Sequence, residues 1–366
     1  MKVAIVAPLV SAIREPQRGG SQAFVSDLAR GLLDRGHDVH LYAASGSEVL
    51  GVDVIDTGVD PQALEATLYR ASRTDPPAGE SGAAERAFAS VYGAVRRGAY
   101  DVVHNHAFDA PAVTLATELR APVVHTLHLP PDATLAGALR QAARRGPRPT
   151  VAAVSAFHAD AWRRVARVDA ILPPYIPTRS IGWSPTAAQT AIFAGRLSPE
   201  KGAAEAIRIA VAARIGIDVY GDSYDADYAR EQIDPRRDDP GVRVHAGVPR
   251  RTLWEAMATA AVVLCPARWD EPFGMVAAEA QACGTPVVAF RRGALGEVIV
   301  DGETGWLVPP DDTDAAADAV TRAGALSRAK CREHAESNLD LELSLDAHEQ
   351  LYTQVVGAGS GVAIGG

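Results

Sequence analysis

Short, almost wholly apolar runs alternate along this chain with longer stretches in which apolar positions recur every three or four residues. Residues 3–7, 39–43, 100–104, 122–126 and 150–155 are runs of the first kind. Residues 21–35, closed by Gly36, have the helical period. Residues 60–100 read as helical around a polar interruption at 73–82, and 109–119 as a further helix. Strands that are apolar on both faces must be covered on both faces, so the alternation predicts a parallel sheet flanked by helices.

The pattern breaks at residues 172–186, LPPYIPTRSIGWSPT, where four prolines and no periodicity mark an inter-domain linker. A second alternating series follows. Its strands are expected at 190–195, 217–221, 242–246, 262–266 and 287–290. Its helices are expected at 202–213, at 252–260 and from about Gly274. A Gly-rich stretch at 301–307 reads as a loop, 343–356 as an amphipathic helix, and 357–366 as a flexible tail. The fold class predicted is α/β, with two Rossmann-like doubly wound domains facing across a cleft. Ligands in such sheets sit at the carboxyl ends of the strands.

Composition changes this picture little. With 366 residues there is material for two cores, and 47% hydrophobic against 22% charged is ordinary for a globular chain. A net charge of −9 argues against a nucleic-acid surface while leaving room for a local cationic site. The cysteines, Cys265, Cys283 and Cys331, are odd in number and far apart, so they read as small neutral thiols. The apolar start, residues 1–10, is short and runs into Arg14, Glu15 and Pro16, which suits a buried strand better than a signal peptide. No run reaches the roughly 18–20 apolar residues of a membrane span, and the cytoplasm is the expected compartment. Lysine occurs only at positions 2, 201 and 330, which draws attention to Lys201.

Three constellations carry candidate chemistry. In GRLSPEKG, Arg196 and Lys201 flank a turn between a strand and a helix, and two cations with a helix N-terminus suit a diphosphate. The glycine spacing is not that of a P-loop. In EPFGMVAAEAQACGTPVVAF, Glu271 precedes a helix that begins near Gly274 and carries Glu279. The amides of Phe273, Gly274 and Met275 are helix-start donors, and Glu279 can accept two vicinal hydroxyls such as those of a ribose. In the first half, Gly19-Gly20-Ser21 precedes a helix, while His104, His106, His125 and His128 fall at the ends of two strands. Their spacing is not that of a zinc site, and each histidine taken singly reads as packed beneath the loops. Asp225–Asp227 and Asp312–Asp314 are D-x-D pairs, but they lie in turns and at helix starts where Asp caps are common.

Taken together these segments resemble glycosyltransferase family 4, retaining nucleotide-sugar transferases with the GT-B fold. GRLSPEKG and EPFGMVAAEAQACGTPVV match its two most specific motifs. GGSQAFVSDLARGLLDRGHDVHLY, VHAGVPRRTLWEAMATAAVVLCPA, VDGETGWLVPPDD and LDAHEQLYTQVV follow in matching order. The resemblance implies an N-terminal domain over 1–177 completed by a returning helix at 341–358, a donor domain over 178–340, and a tail at 359–366. It implies a catalytic set of His128, Glu271, Arg196 and Lys201. Arg196 and Lys201 would hold the donor diphosphate, Glu279 the ribose, and Glu271 with the Phe273–Met275 backbone the donor sugar. Gly20 would line the phosphate, and His128 would lie near the anomeric carbon.

The activity implied is transfer of a hexose-type sugar, with retention, from a nucleoside diphosphate to a hydroxyl of a small, soluble acceptor. No metal and no cofactor are implied, and a UDP-sugar is favoured slightly over a GDP-sugar. The partners expected are the donor and the acceptor alone, without nucleic acid or an integral membrane segment, in a monomer or homodimer. One departure stands out: Pro173-Pro174-Tyr175-Ile176-Pro177 occupies the place of the family's Asn-Gly-Val-Asp-like turn. The competing readings are a nucleotide-sugar 2-epimerase of the same fold and a non-catalytic nucleotide-sugar-binding protein. A dehydrogenase is disfavoured because the first strand leads into no G-x-G-x-x-G.

Overall fold

The computed structural model describes residues 1–61, 81–145 and 148–360. The expected helical stretch at 62–72, most of the interruption at 73–82 and the end of the tail, 361–366, lie outside the described residues. The chain divides into two compact units. Met1–Arg14, Gly20–Pro174 and Ser344–Gly366 form the first; Glu15–Gly19 and Tyr175–Leu343 form the second.

The first unit is built on seven parallel strands: β1 Lys2–Val6, β2 Asp38–Ala43, β3 Asp53–Asp56, β4 Val102–Asn105, β5 Val123–Leu127, β6 Thr150–Ala153 and β7 Ala170–Ile171. Their order is β3-β2-β1-β4-β5-β6-β7. Val3 pairs with Val39 on one side and with Val102 on the other, so the strand order reverses between β1 and β4. Edge strand β3, DVID, is too short and too polar to show a period, and the sequence pattern does not reveal it. One face of the sheet is covered by Phe88, Val91 and Tyr92 of the helix Ser81–Val95. A separate core joins Leu135 and Leu139 of the helix Ala133–Arg145 to Trp162 of the helix Ala156–Arg163.

The final helix, Leu341–Ser360, extends past Gly357, where the glycine content suggested a tail. From Ser344 onward it belongs to the first unit. Ser344 donates to the Pro173 carbonyl, and Arg35 pairs with both Asp346 and Glu349 at 2.7 Å.

The second unit holds six parallel strands: β8 Thr190–Ala194, β9 Gly216–Tyr220, β10 Val242–His245, β11 Val262–Cys265, β12 Val287–Phe290 and β13 Gly305–Val308. The order is β10-β9-β8-β11-β12-β13, with the reversal between β8 and β11. Strand β13 occupies part of the stretch read from sequence as a Gly-rich loop, since Gly305 must lie flat beside Val287 to let Trp306 and Leu307 pair. Phe193, Ile207, Val219, Leu264 and Phe290 lie together in the core. The helices Thr313–Ala323 and Arg328–Asn338 were not legible in the alternation.

Both D-x-D strings resolve as caps. Asp225 accepts from the Tyr228 amide and Asp312 from the Ala315 amide. The proline-rich segment is anchored in this unit: Ile176, Thr178 and Ile181 are buried, and Arg332 donates to the carbonyls of Thr178 and Ile181.

Candidate active site

In the second unit the loops that leave β8 and β11 meet at the point of strand-order reversal, where open α/β sheets place their ligands. Gly202 makes their approach possible. Its φ of +77° is left-handed, and a Cβ there would stand 2.1 Å from the Pro266 carbonyl oxygen. It also starts the helix Ala203–Ala212. Lys201, one residue earlier, thus reaches the loop after β11. Its Nζ lies 2.8 and 3.1 Å from the two Glu271 oxygens, and 4.8 Å from the centre of the Trp269 ring. The Trp269 indole N–H donates to Glu271 Oε2 at 2.8 Å. The Glu271 backbone is fixed too, since its carbonyl accepts from Ala294.

Arg196 packs its guanidinium 4.7 Å from the Tyr224 ring centre and contacts Glu200 at 3.3 Å. Ser198 steadies Glu200 with a 2.7 Å bond. These ion pairs are partly exposed, with Lys201 at 24% and Glu271 at 16%, so they orient the cations while contributing little to stability. Beneath them burial, with Glu271 adding to it, pushes the Cys265 thiol up to about 12, which keeps it neutral.

The helix Met275–Ala282 supplies the other half of this constellation. Gly274, at φ +106°, is its N-cap, and a Cβ there would meet Leu295 at 2.7 Å. Ala277 and Ala278 both donate to the Gly274 carbonyl, so the amides of residues 274–276 have no intrahelical acceptor. Phe273 is buried, with the Tyr175 ring 5.8 Å away. The residue that replaces the family's usual turn therefore abuts the Phe-Gly corner. Glu279, 5% exposed, receives Arg250 at 3.0 Å.

Gly20 and the histidines belong to the first unit. Gly20 opens the helix Gly20–Asp34, downstream of β1. Three of the four histidines, His104, His106 and His128, are not packed singly, while His125 Nδ1 accepts from the Asn105 side-chain amide at 3.0 Å. His104 and His106 lie 4.0 Å apart by ring centres, and His106 Nδ1 and His128 Nε2 share a proton across 2.9 Å. A fifth, His348 from the final helix, lies 5.4 Å from His104 and donates its Nδ1 proton to the Ser344 carbonyl. His104 is held at 2.6 Å by Tyr352 and at 2.7 Å by Thr126.

Burial, with neighbouring imidazoles adding to it, holds His104 and His106 well below the ordinary range. His128, partly exposed at the rim, is pushed to about 3, and burial takes His125 and His348 to about 4. In the same unit, burial moves the Asp109 carboxyl up to about 7. Five neutral rings form a polar but uncharged floor. Among the described residues no group of His, Cys, Asp and Glu is arranged to hold a metal ion.

Sequence reasoning missed Trp269, Tyr224, Arg250, Tyr175 and His348. Trp269 had a signal, lying two residues before Glu271. The others come from separate elements and are joined only by folding.

Two all-parallel sheets of these orders, each with its polar constellation at the carboxyl ends of the strands, define the GT-B class of glycosyltransferase fold. Solved structures share it. Sucrose-phosphate synthase from Thermosynechococcus elongatus superimposes with a TM-score of 0.79 over 98% of this chain and all of that one, at 19% identity. Anabaena HepE, in complex with UDP and glucose, gives 0.72 over 96% of this chain and 99% of its own, also at 19%.

The Glycosyltransferase Family 4 model matches residues 18–178, and that of Glycosyl transferases group 1 matches 181–338. A D-inositol 3-phosphate glycosyltransferase of Kribbella flavida is 30% identical over 87% of this chain and 86% of its own. A phosphatidyl-myo-inositol mannosyltransferase of Mycolicibacterium smegmatis is 29% identical over 95% and 93%. The chain belongs to glycosyltransferase family 4. No described helix is long and apolar enough to cross a membrane.

Proposed function

We propose that this glycosyltransferase moves a hexose-type sugar, with retention, from a nucleoside diphosphate to a hydroxyl of a small polyol-like acceptor. The observation that carries the reading is the joining of Lys201, Trp269 and Glu271 beside the open amides of residues 274–276. Arg196 and Lys201 offer positive charge to a diphosphate. The helix start and Glu271 offer donors and acceptors to a sugar. Glu279 offers a carboxylate to a ribose.

As the glycosidic C–O bond breaks, negative charge grows on the departing diphosphate, and cations with oriented amides stabilise it more than the ground state. The acceptor hydroxyl attacks from the face that the diphosphate leaves. The leaving phosphate oxygen takes the hydroxyl proton, so no side-chain base is required. His128, neutral at working pH, positions the sugar as a hydrogen-bond partner. In this scheme the growing charge is met by the two side-chain cations and the helix-start amides, and no step is routed through a metal ion.

Two similarities support the donor and acceptor classes. HepE is described with UDP and UDP-glucose, which favours a UDP-sugar. Several relatives are named for inositol-containing acceptors, which favours a ring polyol hydroxyl.

The test is incubation with UDP-glucose, UDP-N-acetylglucosamine and GDP-mannose against inositol and inositol phosphate, in EDTA, followed by NMR of the product. An anomeric coupling that keeps the donor's configuration is the expected result. An inverted product would defeat the front-face mechanism, and an epimerised nucleotide sugar formed without acceptor would replace transfer by epimerisation.

A further inference from the structure

Arg250 has no role in the resemblance and no signal in the sequence, yet it is the residue in contact with Glu279. It is the first residue of the helix Arg250–Thr259, whose N-cap position, Pro249, offers no side-chain cap. Glu15, in the same unit, accepts the Arg250 backbone N–H at 2.9 Å and fixes where the helix begins. One turn on, the Trp254 ring lies with its centre 4.7 Å from the guanidinium carbon, so the planar group is supported on a face.

The guanidinium meets Glu279 in an unusual way. Nε at 3.2 Å and Nη2 at 3.0 Å both donate to the same oxygen, Oε1. The usual fork engages one oxygen with each nitrogen. Here the pair is close to dry, with only 11% of the Arg250 side chain and 7% of the Glu279 side chain exposed. A carboxylate so deeply set needs a partner to stay where it is. The partner found leaves the second oxygen, Oε2, outside the Arg250 fork.

We propose that Arg250 is the positioning residue that presents Glu279 Oε2 to the ribose hydroxyls of the donor nucleotide. In this role it sets the preference for ribose over 2′-deoxyribose. The proposal rests on the reading of Glu279 as the ribose acceptor. Without Arg250 the carboxylate loses the bonds that fix its rotamer, and the hydroxyl contacts weaken while the diphosphate contacts of the adjoining loops do not.

The experiment is calorimetric titration of the full chain with UDP, 2′-deoxy-UDP and inorganic pyrophosphate, for the wild type, Arg250→Ala and Arg250→Lys. The guanosine pair replaces the uridine pair if UDP does not bind. The wild type is expected to prefer the ribonucleotide by about tenfold, the scale of one charge-assisted hydrogen bond. Arg250→Ala should bring that preference to within about twofold, with pyrophosphate affinity unchanged, a split that general loosening of the fold would not produce. Arg250→Lys keeps the charge but not the two-nitrogen contact, and should fall between; it decides the matter if the alanine variant does not fold. A full wild-type preference in either soluble variant overturns the proposal. A wild type that binds both nucleotides equally overturns the ribose reading of Glu279 itself, and the proposal with it.

Discussion

The two units solve the same problem, holding polar groups at the carboxyl ends of a parallel sheet, by opposite means. In the second unit the groups stay charged: Lys201 with Glu271, Arg196 with Glu200 and Arg250 with Glu279 form partly exposed or fork-like ion pairs. In the first unit they are stripped of charge: His104, His106, His128 and His348 pack ring against ring, His125 bonds to Asn105, and burial holds all five neutral. The difference teaches what each surface can offer a substrate. A charged, balanced cluster can exchange one anion for another, as diphosphate binding and release require. A neutral imidazole floor can accept and donate to hydroxyls without a net field, which suits a sugar or a polyol acceptor.

The comparison can be broken most sharply at Lys201. Lys201→Ala should lower turnover about 100-fold or more, because a cation facing the leaving group is lost, while the melting temperature moves little. Steady-state kinetics beside a thermal melt checks both halves, and an unchanged rate would remove the diphosphate role.

Acid should separate the units next. The folded-state pKa values of the histidines lie below that of a free imidazole, so the unfolded chain takes up more protons as pH falls. Their contribution is complete above about pH 6.5 and is lost on the way down toward 4. Asp109 runs the other way: raised to about 7, its contribution is complete below the usual carboxylate range and lost as pH rises through 7. One carboxyl against five imidazoles leaves the acid loss dominant. At about 1.4 kcal/mol per pKa unit for each group, the melting temperature should drop by roughly 10 °C between pH 7 and 5. Calorimetry across that range would show it, and a flat profile would mean that the rings are hydrated.

A smaller effect sharpens the local account of the charged loop. Gly202→Ala combines a strained φ with a carbonyl clash and should cost about 3 kcal/mol, read as a lowered urea midpoint. The smallest is Asp312→Ala, which removes a helix cap and should cost about 1 kcal/mol in the same assay with activity intact. A loss of activity there would revive a metal-diphosphate role for that D-x-D pair.

Much of the architecture was legible because buried parallel strands announce themselves. VAIVA, VVLC and VVAF have no polar face to confuse with a helix. Strand β3 and strand β13 escaped for the same reason in reverse: DVID is half polar, and GWLV opens on a glycine that the sheet needs for close pairing. In the candidate site the motif residues were visible, since Arg196, Lys201, Glu271 and Glu279 lie in two compact strings. Their partners were not. Arg250 and Glu279 are 29 positions apart, and Tyr352 and His104 are 248 apart. No local period encodes such meetings, which depend on the order of strands in each sheet. His104 and His106 show the cost of weighing residues singly, because their depressed pKa values come from being together as well as from burial.

The central claim is that the second unit holds a nucleoside diphosphate through Lys201 and Glu279. Its most direct test is calorimetric titration of the wild type, Lys201→Ala and Glu279→Ala with UDP, GDP, ADP and dTDP, with EDTA and then with magnesium. The account predicts saturable binding of one diphosphate that is indifferent to magnesium and clearly weaker in both variants. Binding of none of the four to the wild type, or equal affinity in all three proteins, would contradict it.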